Sequence, residues 1–324
     1  MGIGSGKHMI QAEHLVKRYG SNYALNDISF TIGEGEIVGL LGPNGAGKST
    51  AMNILTGYLA PTSGRALVDG RDISEYPAEV KRMIGFLPEQ PPVYPDMTVK
   101  EYLDFVYDLK GCTFPREAHL SEVMAVTRTQ DVQNRLIGNL SKGYRQRVGI
   151  AEALVGDPKI IIFDEPTVGL DPKQILEVRN LMRTLAKKHT VILSTHILAE
   201  AQAVCERIII INRGKIVADA KTDEMTRTIE GGYRLEVKIL GPEKEVAAAL
   251  SKISGVGNVE STGERDAGAF RYLIDTKGGA DIRRDVFRLC CEKNYPLLGM
   301  SAAGTDLESV FIRLVDRADA AAKG

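Results

Sequence analysis

Nine consecutive residues, Gly42-Pro43-Asn44-Gly45-Ala46-Gly47-Lys48-Ser49-Thr50, constrain this chain most. They fit G-x-x-x-x-G-K-[ST], a loop whose backbone N–H groups turn inward around phosphate. The run 36–41 before it reads as a short buried strand, and 49–58 after it has helical composition. Strand, glycine loop and helix are the context the motif needs, and the helix N-terminus adds favourable partial charge for an anion. Lys48 is expected to reach β- and γ-phosphates, and the Ser49 hydroxyl to ligate Mg²⁺. The alternative is a glycine-rich turn with no ligand. Partner motifs later in the chain weigh against it.

The rest of the chain supplies those partners. Residues 10–19 and 23–32 alternate and read as strands joined at Gly20-Ser21-Asn22, with Tyr19 closing the first. A turn at 61–64 leads to a strand at 65–68. Residues 84–90 read as a strand ending at Gln90, and Pro91, Pro92 and Pro95 force an irregular loop after it. A mainly helical stretch follows from about 98 to 154, broken at 111–115. Within it Leu140-Ser141-Lys142-Gly143-Tyr144 opens a helix with Ser141 as N-cap. The run Ile160-Ile161-Ile162-Phe163 then ends in Asp164-Glu165, as a central parallel strand with carboxylates at its C-terminal end would. Gly169-Leu170-Asp171-Pro172 turns into a helix over 173–187. Residues 190–195 form another buried strand with His196 at its end, a helix follows near 199–205, and strands occupy 208–212 and 215–219. Strands alternating with helices give an α/β parallel sheet, and ligand groups at strand C-terminal ends agree with where such sheets bind.

The 324 residues suffice for two domains. A formal net charge of −1 gives no argument for a nucleic-acid-binding surface. The longest apolar runs are too short to span a bilayer, so any membrane work needs other chains. The four cysteines lack metal-ligand spacing and read as reduced thiols. Residues 1–8 read as an expression tag remnant, with Met9 the native start. The first domain is expected over 9–222, a linker over 223–232 and an accessory α+β domain over 233–324. There the order β-α-β-β-α-β, closing with strand 296–302 and a final helix at 306–316, is ferredoxin-like.

Taken in order, these motifs resemble the ATP-binding subunit of an ABC transporter over residues 10–222. The resemblance implies a P-loop NTPase core carrying an antiparallel β subdomain and a helical signature subdomain at about 97–156. It implies a head-to-tail dimer (of one subunit or of two different ones) in which each ATP is held by one copy's loop, Gly42 to Thr50, and the other copy's Ser141 and Gly143. Glu165 would be the general base, His196 would contact the γ-phosphate, and Asp164 would hold Mg²⁺ beside Ser49 and Gln90. Gln90 would also relay to a membrane permease, Tyr19 would stack on adenine and Asp171 would bridge the copies. The family signature L-S-G-G-Q is altered here, with Lys142 and Tyr144 in place of Gly and Gln. Lys142 would add positive charge near phosphate or point to solvent, the second being the favoured reading. Leu307-Glu308-Ser309-Val310-Phe311 resembles the tail ending of single-cassette ATPases of bacterial exporters of the second type. The implied protein is a cytoplasmic MgATP hydrolase, peripheral on the inner face of the membrane, driving export through a separate permease that meets the loop 91–101 (Asp96 and Lys100). A soluble ABC ATPase acting on nucleic acid or ribosomes, and a module that binds ATP with little turnover, are the alternative readings.

Overall fold

A computed structural model describes residues 8–222, 234–266, 268–277 and 280–302. It divides into two compact units, one ending at Thr222 and one beginning at Asp223. The linker expected at 223–232, except its boundary, and the helix and tail motif expected beyond 302 lie outside the described residues.

The first unit opens with β1 (His8–Tyr19) and β2 (Asn22–Gly33), an antiparallel pair turned at Gly20. His8, read from sequence as tag, is the first residue of β1 and pairs with Gly33. β3 (Ile37–Leu41) is buried throughout, and the glycine loop joins it to α1 (Lys48–Leu55). β4 (Ser63–Val68) and a two-residue β5 (Arg71–Asp72) complete a four-stranded antiparallel sheet in the order β2-β1-β4-β5. A helix unforeseen from sequence, α2 (Pro77–Met83), precedes β6 (Ile84–Leu87). It has Pro77 at its first position and buries only Val80, which leaves little apolar periodicity to read.

The helical stretch divides further than expected. α3 (Val99–Leu109) starts in a capping box, where the Thr98 side chain accepts from the Glu101 N–H and Glu101 accepts from the Thr98 N–H. α4 (Arg116–Thr127) ends where Arg128 takes a left-handed conformation, φ +54°, and 3₁₀ turns fill the space before α5 (Lys142–Leu154). The remaining elements are β7 (Ile160–Asp164), α6 (Pro172–Leu185), β8 (Thr190–Thr195), α7 (Leu198–Val204), β9 (Arg207–Asn212) and β10 (Lys215–Lys221).

The six-stranded sheet runs β10-β9-β3-β8-β7-β6, parallel from β9 to β6, with β10 antiparallel at the edge. β7 and β8 are buried at every residue, as expected of parallel strands covered on both faces. Along β9 the isoleucines alternate: Ile209 and Ile211 join the core shared by the antiparallel sheet and α1, and Ile208 and Ile210 are buried outside that cluster. This packing fixes β3 and α1, and so holds both ends of the glycine loop.

The second unit reads β11 (Arg234–Ile239), α8 (Glu243–Leu250), β12 (Val256–Asp266), β13 (Ala269–Thr276), α9 (Arg283–Lys293) and β14 (Leu297–Ala302). Its antiparallel sheet has the order β12-β13-β11-β14. This is the β-α-β-β-α-β arrangement expected from sequence. Its own core includes Leu235, Val237, Val246, Leu250, Tyr272 and Val286.

Candidate functional site

The site gathers at the C-terminal ends of β3, β7 and β8. The glycine loop turns tightly against the sheet. A Cβ at Gly42 would overlap the Ile211 carbonyl, and Gly47 has φ +113° with space for a Cβ closed by the Ala24 carbonyl at 2.5 Å. Only glycine fits both places. The loop is tied from outside as well: the Gly214 N–H donates to the Ala46 carbonyl at 2.8 Å, and the Asn26 N–H to the Gly214 carbonyl at 2.7 Å. Asn44, Gly45 and Ser49 remain exposed at the mouth, with Pro43 and Thr50 half-buried.

Lys48 is 5% exposed. Its ammonium donates to the Gly42 carbonyl at 2.7 Å and the Pro43 carbonyl at 3.3 Å, and faces Glu165 Oε1 at 3.5 Å. Glu165 is 8% exposed, and its other oxygen, Oε2, lies 2.9 Å from His196 Nδ1. Lys48, Glu165 and His196 are therefore joined through one carboxylate. Glu165 reaches this position with φ +50°, unusual outside glycine, while its N–H still donates to the Ser194 carbonyl at 3.0 Å. The chain leaves β7 at that residue and turns its side chain toward the loop.

Asp164, one residue earlier, is buried, and its Oδ1 has no hydrogen-bond partner in the protein. A buried unpartnered carboxylate oxygen calls for a donor or a cation. No group of three or more His, Cys, Asp or Glu converges among the described residues. One carboxylate, one hydroxyl and phosphate oxygens suit Mg²⁺, which keeps most of its waters and takes few protein ligands. The residues present thus fit the ion.

The other expected residues lie as follows. β6 ends at Leu87, because Pro88, Pro91 and Pro92 cannot continue it, so Gln90 stands beyond the strand. It is exposed and lines a groove with Lys142, Arg145 and Gln146, outside the contacts joining Lys48, Glu165 and His196. Tyr19 ends β1, half exposed, with the Lys17 ammonium 5.4 Å from its ring centre. Ser141 is the N-cap of α5, accepting from the Tyr144 N–H. Gly143 is buried where a Cβ would fall 2.6 Å from Gln174 Oε1. Asp171 caps α6, accepting from the Gln174 N–H at 2.9 Å. Lys142 is exposed, but its ammonium lies over Gly169. The Tyr144 hydroxyl donates to Asp131 at 2.6 Å, and that carboxylate pushes the phenol's pKa up.

Sequence reasoning missed Glu200, Thr167 and Thr195, a buried polar group next to the site. The legible signal was a carboxylate one turn from Val204 on the face of α7 that also buries Leu198 and Ala201.

A family model described as ABC transporter matches residues 25–168. An uncharacterized ABC transporter ATP-binding protein of Bacillus subtilis (strain 168), YxlF, is 37% identical over 308 residues, 95% of this chain and 99% of that protein. The chain belongs to the ABC transporter ATP-binding proteins. It is an ATPase of that family, with a mixed α/β cassette fold. The daunorubicin resistance ATP-binding protein DrrA2 of Streptomyces coeruleorubidus is 32% identical, each protein covering 95% of the other. Among solved structures, the ATP-binding cassette MJ0796, in a dimeric post-hydrolysis state bound to ADP and Pi, superposes with TM-score 0.60 at 30% identity. The match spans 66% of this chain and 98% of that one. No described helix of this ABC ATPase is long and apolar enough to cross a membrane.

Proposed function

We propose that this ABC ATPase hydrolyses MgATP at sites shared between two copies and drives export through a separate membrane permease. The observation that carries the reading is the contact chain from Lys48 through Glu165 to His196, beside the glycine loop. Glu165 acts as the general base that takes the proton of the attacking water. His196 orients that carboxylate and faces the γ-phosphate. Lys48 and the loop's N–H groups bind the phosphates and offset charge as the γ-phosphoryl transfers. Asp164, the Ser49 hydroxyl and Gln90 would hold Mg²⁺, which would neutralise phosphate charge. Tyr19 stacks on adenine.

The loop covers the phosphates from one side. Donors on the other come from the N-terminus of α5 in a second copy, through Ser141 and Gly143, with Asp171 between the copies. The dimeric state of the MJ0796 cassette supports this part. Export is supported by the resistance function named for DrrA2. Gln90 and loop 91–101 form the surface for the permease, on the inner face of the membrane, and Gln90 relays nucleotide state.

The test is MgATP hydrolysis against protein concentration, wild type beside Glu165→Gln. A rate per molecule that rises with concentration, with an inactive variant that dimerises in ATP, supports the reading. Hydrolysis retained by Glu165→Gln overturns the base assignment, and a rate independent of concentration in a monomer overturns the shared site.

A further inference from the structure

The pairing of Glu165 with His196 needs two loops held at a fixed separation. Glu165 lies just after β7, and His196 just after β8. These strands are neighbours whose last paired residues are Asp164 and Ser194. The Glu165 N–H to Ser194 carbonyl bond is the last backbone tie between them. Beyond it the two chains part, one toward Asp171 and the other into α7.

A single carboxylate oxygen bridges them past that point. Glu200 Oε2 accepts from the Thr167 hydroxyl at 2.7 Å and from the Thr195 hydroxyl at 3.1 Å. Thr167 stands two residues after Glu165, and Thr195 immediately before His196. All three are buried: Glu200 is 3% exposed, Thr167 4% and Thr195 fully enclosed. Thr195 Oγ1 also accepts from the Ile197 N–H at 3.1 Å, which fixes the backbone on the far side of His196. The second oxygen, Glu200 Oε1, faces Arg179 Nη2 of α6 at 3.9 Å, while Arg179 Nε is buried without a partner.

That ion pair is too long for a strong hydrogen bond. A buried carboxylate with so distant a counter-charge is a poor way to gain stability, and apolar residues of similar volume commonly serve a core as well or better. What the carboxylate supplies here is geometry, because one atom accepts from both catalytic loops. We propose that Glu200 is a positioning residue, which through Thr167 and Thr195 sets the spacing at which Glu165 meets His196. The inference rests on the hydrolytic roles given above to that pair. Displacement by about 1 Å at such a pair is enough to cost on the order of a hundredfold in rate.

The experiment uses the full chain and five variants: Glu200→Leu, Thr195→Val, Thr167→Val, Thr195→Ser and Thr167→Ser. For each, kcat and KM for MgATP, affinity for a fluorescent ATP analogue and thermal unfolding are measured. Glu200→Leu is expected to lower kcat about tenfold or more, with KM and analogue affinity within about twofold and the unfolding temperature unchanged or higher. The valine variants, which leave the carboxylate in place, are expected to lose kcat similarly, and the serine variants to keep it. They carry the test if Glu200→Leu does not fold. Wild-type kcat in the valine variants, or serine variants that lose as much as valine, overturns the inference. A wild type without hydrolysis, or an active Glu165→Gln, overturns the underlying reading and this inference with it. An inactive Glu165→Gln beside fully active Glu200→Leu overturns the positioning role alone.

Discussion

His196 Nδ1 stands 2.9 Å from Glu165 Oε2, although the two residues are 31 positions apart in the chain. Neighbouring parallel strands deliver them to the same end of the sheet. With Glu165 Oε1 turned to the Lys48 ammonium, both oxygens of the base are engaged, and its orientation is fixed from two sides.

Removing one side should therefore misplace the base without emptying the site. His196→Ala is expected to lower kcat for MgATP about a hundredfold while leaving nucleotide affinity near wild type. Single-turnover hydrolysis with parallel binding measurements checks this. A variant that hydrolyses at the wild-type rate would contradict the orienting role.

The glycine loop yields a contrast between two of its positions. A methyl at Gly42 would overlap the Ile211 carbonyl, which is backbone and cannot yield cheaply. Gly45 has φ +78° but nothing within 4 Å of its Cβ position. Gly42→Ala should destabilise by about 1–3 kcal/mol through overpacking and weaken ATP binding. Gly45→Ala should cost about 1 kcal/mol, from conformation alone. Urea unfolding and nucleotide titration of both variants check the ordering, and equal effects would count against it.

Asp171 has a role inside its own chain that the family resemblance does not mention. Its carboxylate caps α6, with Pro172 at the first helical position. Asp171→Ala is expected to cost about 1 kcal/mol, and Asp171→Asn, still a good cap, much less. If Asp171 also bridges two copies, both variants should weaken the ATP-dependent dimer. Thermal unfolding and sizing in ATP separate the two roles.

Much of the cassette was legible because its signals are local. The glycine loop, the apolar run into Asp164 and Glu165, and the Ser141 cap each sit within one short window. α2 was not legible, since a short helix with one buried residue carries no period. The sequence pattern carries β6 on to Gln90, whereas Pro88 ends the strand at Leu87. Glu200 escaped because its partners, Thr167 and Thr195, come together only when β7 and β8 pair.

Lys110 makes stability depend on pH. Its ammonium donates to the Glu152 and Val155 carbonyls at the end of α5, and burial pushes its pKa down to about 8, partly offset by Glu152. In the unfolded chain the group titrates near 10.5. Between these values the unfolded state binds the extra proton, so this group makes stability rise with pH from about 8 to 10. The full effect is at most on the order of 3 kcal/mol. Urea unfolding of wild type and Lys110→Met across that range checks it: the difference should grow in favour of wild type. Parallel curves would remove Lys110 as the cause.

The cysteines should differ sharply in reactivity. Cys291 is exposed on α9, whereas Cys205 is buried after α7, where burial pushes its thiol up to about 12. Its sulfur lies 3.2 Å from where a Cβ of Gly39 would stand, packed against the central strand. The thiolate is the reactive form, so Cys205 should resist alkylation until the cassette unfolds. Cys291 should react at once, and Cys112, half-buried with its thiol also raised by burial, more slowly. Timed iodoacetamide labelling with peptide mass mapping reads the order directly. Rapid labelling of Cys205 in the folded protein would show that α7 opens away from β3.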